Sequence, residues 1–201
     1  WMAGVGIFGF FDGSRFRDCE LAGSTGLANT GVCWCLAEDA QGRIYVITDN
    51  HLVQYDQGRF TSFGAEQGLP LSAAIGWRNT LNFDPDIGEF WIGMGHEIGR
   101  WNGESYQTIR PDTGEIRKIQ RDRRGRTWFA TLSQKGALCF DGTDFFQLGA
   151  EVGFPEANVN GIYEDREGSI WIGSWGEGLY CYDGDHISLL NERDGLPAGP
   201  I

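Results

Sequence analysis

Two histidines stand next to carboxylates in this 201-residue chain, His51 just after Asp49-Asn50 and His96 just before Glu97. Imidazole and carboxylate together can hold zinc, but such a site needs three or four donors in tight spacing. Neither pair supplies a third ligand, so both read as surface histidines and no metal is expected. Asp84, Asp86 and Glu89 bring three carboxylates together, yet the EF-hand spacing is absent and turn capping is the better reading. No Gly-Lys loop is present to cradle phosphate, and no Ser elbow to act as nucleophile. The paired carboxylates of glycoside hydrolysis depend on a spatial separation that the spacing here does not define. No catalytic residue and no cofactor are therefore assigned.

Recognition chemistry is better represented. Trp175-Gly176-Glu177 sets an indole beside a carboxylate in a Gly-rich loop, and flat aromatics next to carboxylates and amides suit sugar stacking and hydroxyl bonding. Packing of Trp175 against a neighbouring loop is the alternative. Asp49-Asn50-His51, Met94-Gly95-His96-Glu97 and Leu132-Ser133-Gln134-Lys135 occupy corresponding places earlier in the chain. Variable polar tips on a regular scaffold are where binding sites are usually built. The expected ligand-binding set is Trp175, Glu177, His96, Glu97, Lys135, Asn50 and His51.

The scaffold that presents these tips is a repeat. An apolar start, an Asp-x-x-Gly turn, a Trp-Ile-Gly run, an aromatic-Asp-Gly turn and a Gly-Leu-Pro exit recur, most cleanly from Val159 to Pro197. The aromatic of the second run falls at Trp1, Tyr45, Trp91, Trp128 and Trp171, at intervals of 44, 46, 37 and 43 residues. A period of this size means stacked blades or solenoid units. Each apolar run is short, rich in β-branched and aromatic residues and cut off by Gly, Asp or Asn, which excludes a helical face of several turns. The fold class is therefore all-β, with four antiparallel strands per repeat, a β-propeller blade. In the last copy strand A is expected over Asn158 to Glu164, B over Ser169 to Ser174, C over Gly178 to Tyr182 and D over His186 to Leu190. Asp39, Asp122 and Asp165 should accept backbone bonds in the A–B turns, and a stretched Asp84-Pro85-Asp86-Ile87-Gly88 replaces that turn in the third copy. The apolar residue of each exit, at Leu27, Leu69, Phe154 and Leu196, should seat between blades. Trp101 and Trp128 are assigned to the core, while Trp34 and Trp77 are read as buried between blades, with channel lining the alternative.

These residues resemble the two-component regulator propeller repeats found in the sensor halves of bacterial hybrid histidine kinases. That repeat reads roughly Val-x-x-Ile-x-x-Asp-x-x-Gly-x-Leu-Trp-Ile-Gly-Thr, then Gly-Leu-x-x-Tyr-Asp, then Gly-Leu-Pro. Val159, Ile162, Asp165, Gly168, Ile170, Trp171, Ile172, Gly173, Ser174, Gly178, Leu179, Tyr182, Asp183 and Gly195 fall on it, as do Ile116, Ile119, Asp122, Gly125, Trp128 and Thr131. The resemblance implies a non-catalytic ligand-sensing region, on the periplasmic or extracellular side of the inner membrane, in a larger two-component signalling protein. It also implies a membrane-spanning segment and a kinase outside this chain, a small-molecule or oligosaccharide ligand, and a mouth or dimer groove where binding changes how two sensors sit. A protein-interaction scaffold is the alternative function, and a propeller lyase or glycosidase the third. Asp122-Arg123-Arg124-Gly125-Arg126-Thr127-Trp128 looks like the Asp-box of sialidase propellers, but that box is a structural turn and carries no chemistry by itself.

The chain enters the repeat in mid-blade at Trp1 and stops at Ile201, where another strand A is due. The expectation is a β-propeller fragment, an open arc of four complete four-stranded blades plus one partial blade, from a parent that the resemblance makes seven-bladed. Trp1 and Ile201 should not share one closing sheet. The partial blade covers residues 1–31, and full blades cover 32–73, 74–115 (irregular), 116–158 and 159–200. The net charge of −12 disfavours nucleic acid and anionic membrane as partners, and membrane association is expected only through missing parts of the parent. Arg121, Arg123, Arg124 and Arg126 crowd one hairpin tip and are read as a solvated surface. Five cysteines follow no staple pattern and are read as buried small hydrophobes.

Overall fold

The structure, a computed structural model, describes residues 1–4, 7–19, 33–48, 51–70, 79–132, 136–149, 152–155, 157–197 and 199. Its strands form five separate sheets in which neighbours in sequence are neighbours in space, the meander expected when each turn is a tight hairpin. The first sheet has three strands, β1 (Met2–Gly4), β2 (Ile7–Phe11) and β3 (Phe16–Asp18). The second comprises β4 (Cys35–Glu38), β5 (Ile44–Ile47), β6 (Leu52–Asp56) and β7 (Arg59–Phe63). The third comprises β8 (Thr80–Asp84), β9 (Glu89–Met94), β10 (Glu97–Trp101) and β11 (Tyr106–Arg110). In the fourth are β12 (Ile116–Arg121), β13 (Thr127–Thr131), β14 (Ala137–Phe140) and β15 (Phe145–Gln147). The fifth holds β16 (Val159–Glu164), β17 (Ile170–Ser174), β18 (Leu179–Tyr182) and β19 (Ile187–Leu190), each within a residue of the expected strand. Four four-stranded sheets and one of three give the blades of an all-β propeller. Among the described residues no later strand joins the first sheet; Ile201 lies outside them.

By contact the chain divides into two compact units, residues 1–95 with 99–109, and residues 96–98 with 110–201. In the second unit the core lies between the fourth and fifth sheets. Strand side chains alternate between faces, so Trp128 and Ala130 of β13 point one way and meet Ile170 and Ile172 of β17. Val159, Ile162, Tyr180 and Tyr182 complete that layer. Burying an indole of this size contributes roughly 4–6 kcal/mol of gross hydrophobic stabilisation, and Trp128 is fully buried. In the first unit two equivalent layers form. One gathers Phe8, Cys33, Ile44, Val46 and Val53 between the first and second sheets. The other gathers Tyr45, Ile47, Leu81, Phe90, Ile92 and Trp101 between the second and third, with the Tyr45 and Phe90 rings 4.4 Å apart.

Several expectations meet this packing directly. Trp101 and Trp128 are core residues, and Leu69 and Phe154 are buried exit residues. Leu196, at the same place in the last exit, is only half-buried, and Leu27 lies outside the described residues. Trp34 is partly buried against the layer between the second and third sheets; Trp77 is outside the description. Trp171 takes the Trp128 position of the fifth sheet, yet it is partly exposed beside the exposed Tyr163, because among the described residues no sixth sheet covers that face. All five cysteines are free, but only Cys33 and Cys139 are buried; Cys19, Cys35 and Cys181 are partly exposed. Burial pushes the Cys139 thiol well above its ordinary value.

Candidate functional site

The four-stranded blades are pinned at the end opposite the candidate loops. Asp122 Oδ1 accepts the backbone N–H groups of Arg124 (3.0 Å) and Arg126 (2.9 Å), closing the A–B turn. Its Oδ2 accepts the Trp128 indole N–H at 2.8 Å and the Arg126 guanidinium at 2.6 Å. Asp165 repeats this with the amides of Glu167 and Ser169 and the Trp171 indole at 2.7 Å. Asp39 does so with the amides of Gln41 and Arg43, and the stretched turn keeps the device, Asp84 Oδ2 accepting from the Trp91 indole at 3.3 Å. Glycine at the end of these turns has φ of +78° at Gly42, +82° at Gly125 and +91° at Gly168, which a side chain would strain. Burial alone would raise the Asp122 carboxyl, but the Trp128 indole and the Arg126 amide and guanidinium outweigh it and hold the group below the usual range.

The arginine-rich tip is engaged rather than simply solvated. Arg121 donates to the Gly125 carbonyl at 2.8 Å, and Arg126 lies over the Trp128 ring. Arg123 reaches the next blade's turn, donating to the carbonyls of Asp165 (2.8 Å) and Arg166 (2.7 Å) while its own amide bonds Glu164. The Asp165 carbonyl also accepts the Gly168 amide of its own turn at 3.3 Å, and the guanidinium of the neighbouring tip adds charge-assisted bonds to it and to the Arg166 carbonyl.

At the other end of the strands, three of the B–C loops are clasped by a hydroxyl. The Ser174 amide and Oγ both donate to the Gly178 carbonyl, at 3.1 and 2.8 Å. Thr131 does the same to Gly136, and Thr48 to the carbonyl of His51. Gly178, at φ +119°, has no room for a Cβ because the Leu190 carbonyl occupies that space. Between Ser174 and Gly178 the tip 175–177 is exposed. Trp175 is 56% exposed, and its backbone N–H donates to the Asn158 carbonyl at 2.9 Å. Glu177 is exposed and, after burial, contributes to raising the Tyr180 hydroxyl.

The last blade holds a cleft of about 390 Å³ lined by the 176–178 loop and by Asn191, Glu192, Arg193, Leu196, Pro197 and Gly199 of the exit. The exit is shaped by a 3-10 turn, Glu192–Asp194. Asn191 Oδ1 accepts the Arg193 amide (2.9 Å) and Asp194 Oδ2 accepts the Asn191 amide (3.0 Å), a reciprocal cap. Of the residues named from the sequence, Glu177 alone lines the cleft; Trp175 belongs to the same loop but lies outside the lining. His96 is exposed, with its carbonyl taken by the amide and hydroxyl of Thr113 at 2.7 and 3.0 Å. Glu97, which opens β10, is partly exposed. His51 is half-buried in the other compact unit. Asn50 and Lys135 lie outside the described residues. Sequence reasoning missed Asn191, Glu192 and Arg193, although Asn191-x-x-Asp194 before Gly195 is a readable capping signal. Among the described residues no cluster of three or more His, Cys, Asp or Glu is placed to hold a metal.

Comparison with known proteins places this architecture. Residues 153–176 match the model of the two component regulator propeller family. The fold is similar to the extracellular domain of BT3049, described as a hybrid two component system, from B. thetaiotaomicron. The TM-score is 0.75 at 20% identity, over 95% of this chain and 27% of that one. It is also similar to the extracellular domain of BT4673, described as a one component system, from the same organism (TM-score 0.72, 18% identity, 94% and 26% covered). Virginiamycin B lyase from Staphylococcus aureus is similar at TM-score 0.65 and 14% identity, over 84% of this chain and 59% of that one. The chain thus spans about a quarter of the length of the two extracellular domains. No curated protein matches it.

Proposed function

We propose that this chain is part of the extracellular sensing region of a two-component signalling protein, and that it binds a saccharide without chemical change. The observation that carries the reading is the cleft of the last blade, whose loop begins at Gly176, the last residue of the segment that matches the two component regulator propeller family. The cleft offers carboxylates, an amide and a guanidinium on a rigid frame, next to an exposed indole in the same loop. Such groups bond hydroxyls and stack on sugar rings. Binding does work in such a protein only by favouring one arrangement of the sensors over another. In this reading the parent supplies the membrane segment and the kinase, and occupancy of the loops or of a dimer groove changes how two sensors sit.

Calorimetry of the full-length sensing region against a panel of oligosaccharides tests this. Trp175→Ala and Glu177→Ala should each weaken the cognate saccharide about tenfold or more while circular dichroism stays unchanged, since hot spots are local. Wild-type binding by both variants and by His96→Ala, with losses from changes elsewhere, would put the site on a blade side or a dimer groove. A protein partner bound in place of any glycan would favour the scaffold, and product released from a polysaccharide would make the chain part of an enzyme.

A further inference from the structure

The charges of the cleft restrict what kind of saccharide it can hold. Its polar side chains are Glu177, Asn191, Glu192 and Arg193, with Leu196 and Pro197 forming the apolar part of the wall. Carboxylate, amide and guanidinium are planar groups that each present two or more bonding atoms, and neighbouring hydroxyls can engage them in pairs. Among the described residues neither Glu177 nor Glu192 is paired with a cation, and Arg193 makes no ion pair. Arg193 is also flanked in its own turn by Glu192 and Asp194, whose carboxylate caps the Asn191 amide. The turn and Glu177 together hold three carboxylates against one guanidinium. The whole chain carries a net charge of −12, so its field repels anions at a distance as well as at contact.

Resting on the saccharide reading above, we infer that the cleft selects uncharged saccharides and excludes those bearing uronate or sulfate groups. Glu177 and Glu192 are the selecting residues. They accept from hydroxyls of a neutral ring, whereas an acidic substituent beside them would meet like charge that the single guanidinium does not cancel. Arg193 then serves as a donor to ring or hydroxyl oxygens.

Two immobilised oligosaccharide sets of matched length test the inference on the full-length sensing region. One set is built of neutral hexoses and pentoses, the other of uronates and sulfated sugars. Wild-type protein should bind only in the neutral set, with affinity that changes little between low salt and about 0.5 M salt, because no ion pair forms. Glu177→Gln combined with Glu192→Gln removes both charges from exposed positions, keeps the shape, and should raise binding to the acidic set at least tenfold. Preference of the wild type for uronate or sulfate, lost in Arg193→Gln, would overturn the selectivity while leaving the saccharide reading intact. Absence of binding to both sets, with the protein folded, would remove the saccharide reading and this inference with it.

Discussion

Asp122 shows how one side chain can hold a blade together. Both of its oxygens are used, one by two turn amides and the other by an indole and a guanidinium, in a site that is 5% exposed. Asp122→Asn puts an amide donor where N–H groups point, so stability should fall by about 2 kcal/mol, the range for bonds to a charged group; urea unfolding monitored by tryptophan fluorescence measures it. Because the folded-state carboxyl is held low, its contribution is complete above the unfolded value near 3.9 and is lost as pH falls through the lower folded value. Wild type should therefore lose urea resistance below about pH 4 more steeply than Asp122→Asn. The turn amides were legible from Asp-x-x-Gly alone. The indole was not, because its bond crosses from one strand to the turn before it; in hindsight the fixed spacing of Asp122 to Trp128 and Asp165 to Trp171 is that signal. The same locality explains why Asn191, Glu192 and Arg193 were missed. Blade connectivity puts exits and B–C loops at one face, as the cleft bears out, but strand alternation is silent on which residues of an exit turn toward the loop.

At the level of the element, loops and exits fit one another through glycine. Gly136 sits at φ +66°, and a Cβ there would lie 2.7 Å from the Phe154 ring, the exit residue buried in the core of the second unit. Gly136→Ala should thus cost about 2 kcal/mol, combining left-handed strain with a displaced aromatic. Gly161, with no neighbour within 4 Å of such a Cβ and no positive φ, is the control, and Gly161→Ala should change stability by less than about 0.5 kcal/mol. Thermal unfolding of the two variants side by side settles the difference. Strand identity and order were readable because each run alternates between faces and ends in Asp or Gly. The 3-10 turns in the exits were not, since three residues carry too little periodicity to register.

For the molecule as a whole, surface charge and repeated architecture give separate constraints. A net charge of −12 implies that the chain passes through a heparin column at physiological ionic strength and does not shift duplex DNA in a gel. Retention on heparin that survives about 0.5 M salt would contradict both that expectation and the selectivity inferred for the cleft. Repetition made the fold legible, since five copies of one pattern reinforce each other. It also hid the site, because function resides where copies differ and difference has no period. The aspartate tethers lie at one end of the strands and the displayed loops at the other, so the two ends answer to different demands. A tip such as 175–177 can be exchanged for a foreign sequence while the hydroxyl clasp and the distant tether keep the strands in register. The last blade is in this sense a socket, and a library built by randomising its tip would inherit a ready-made frame.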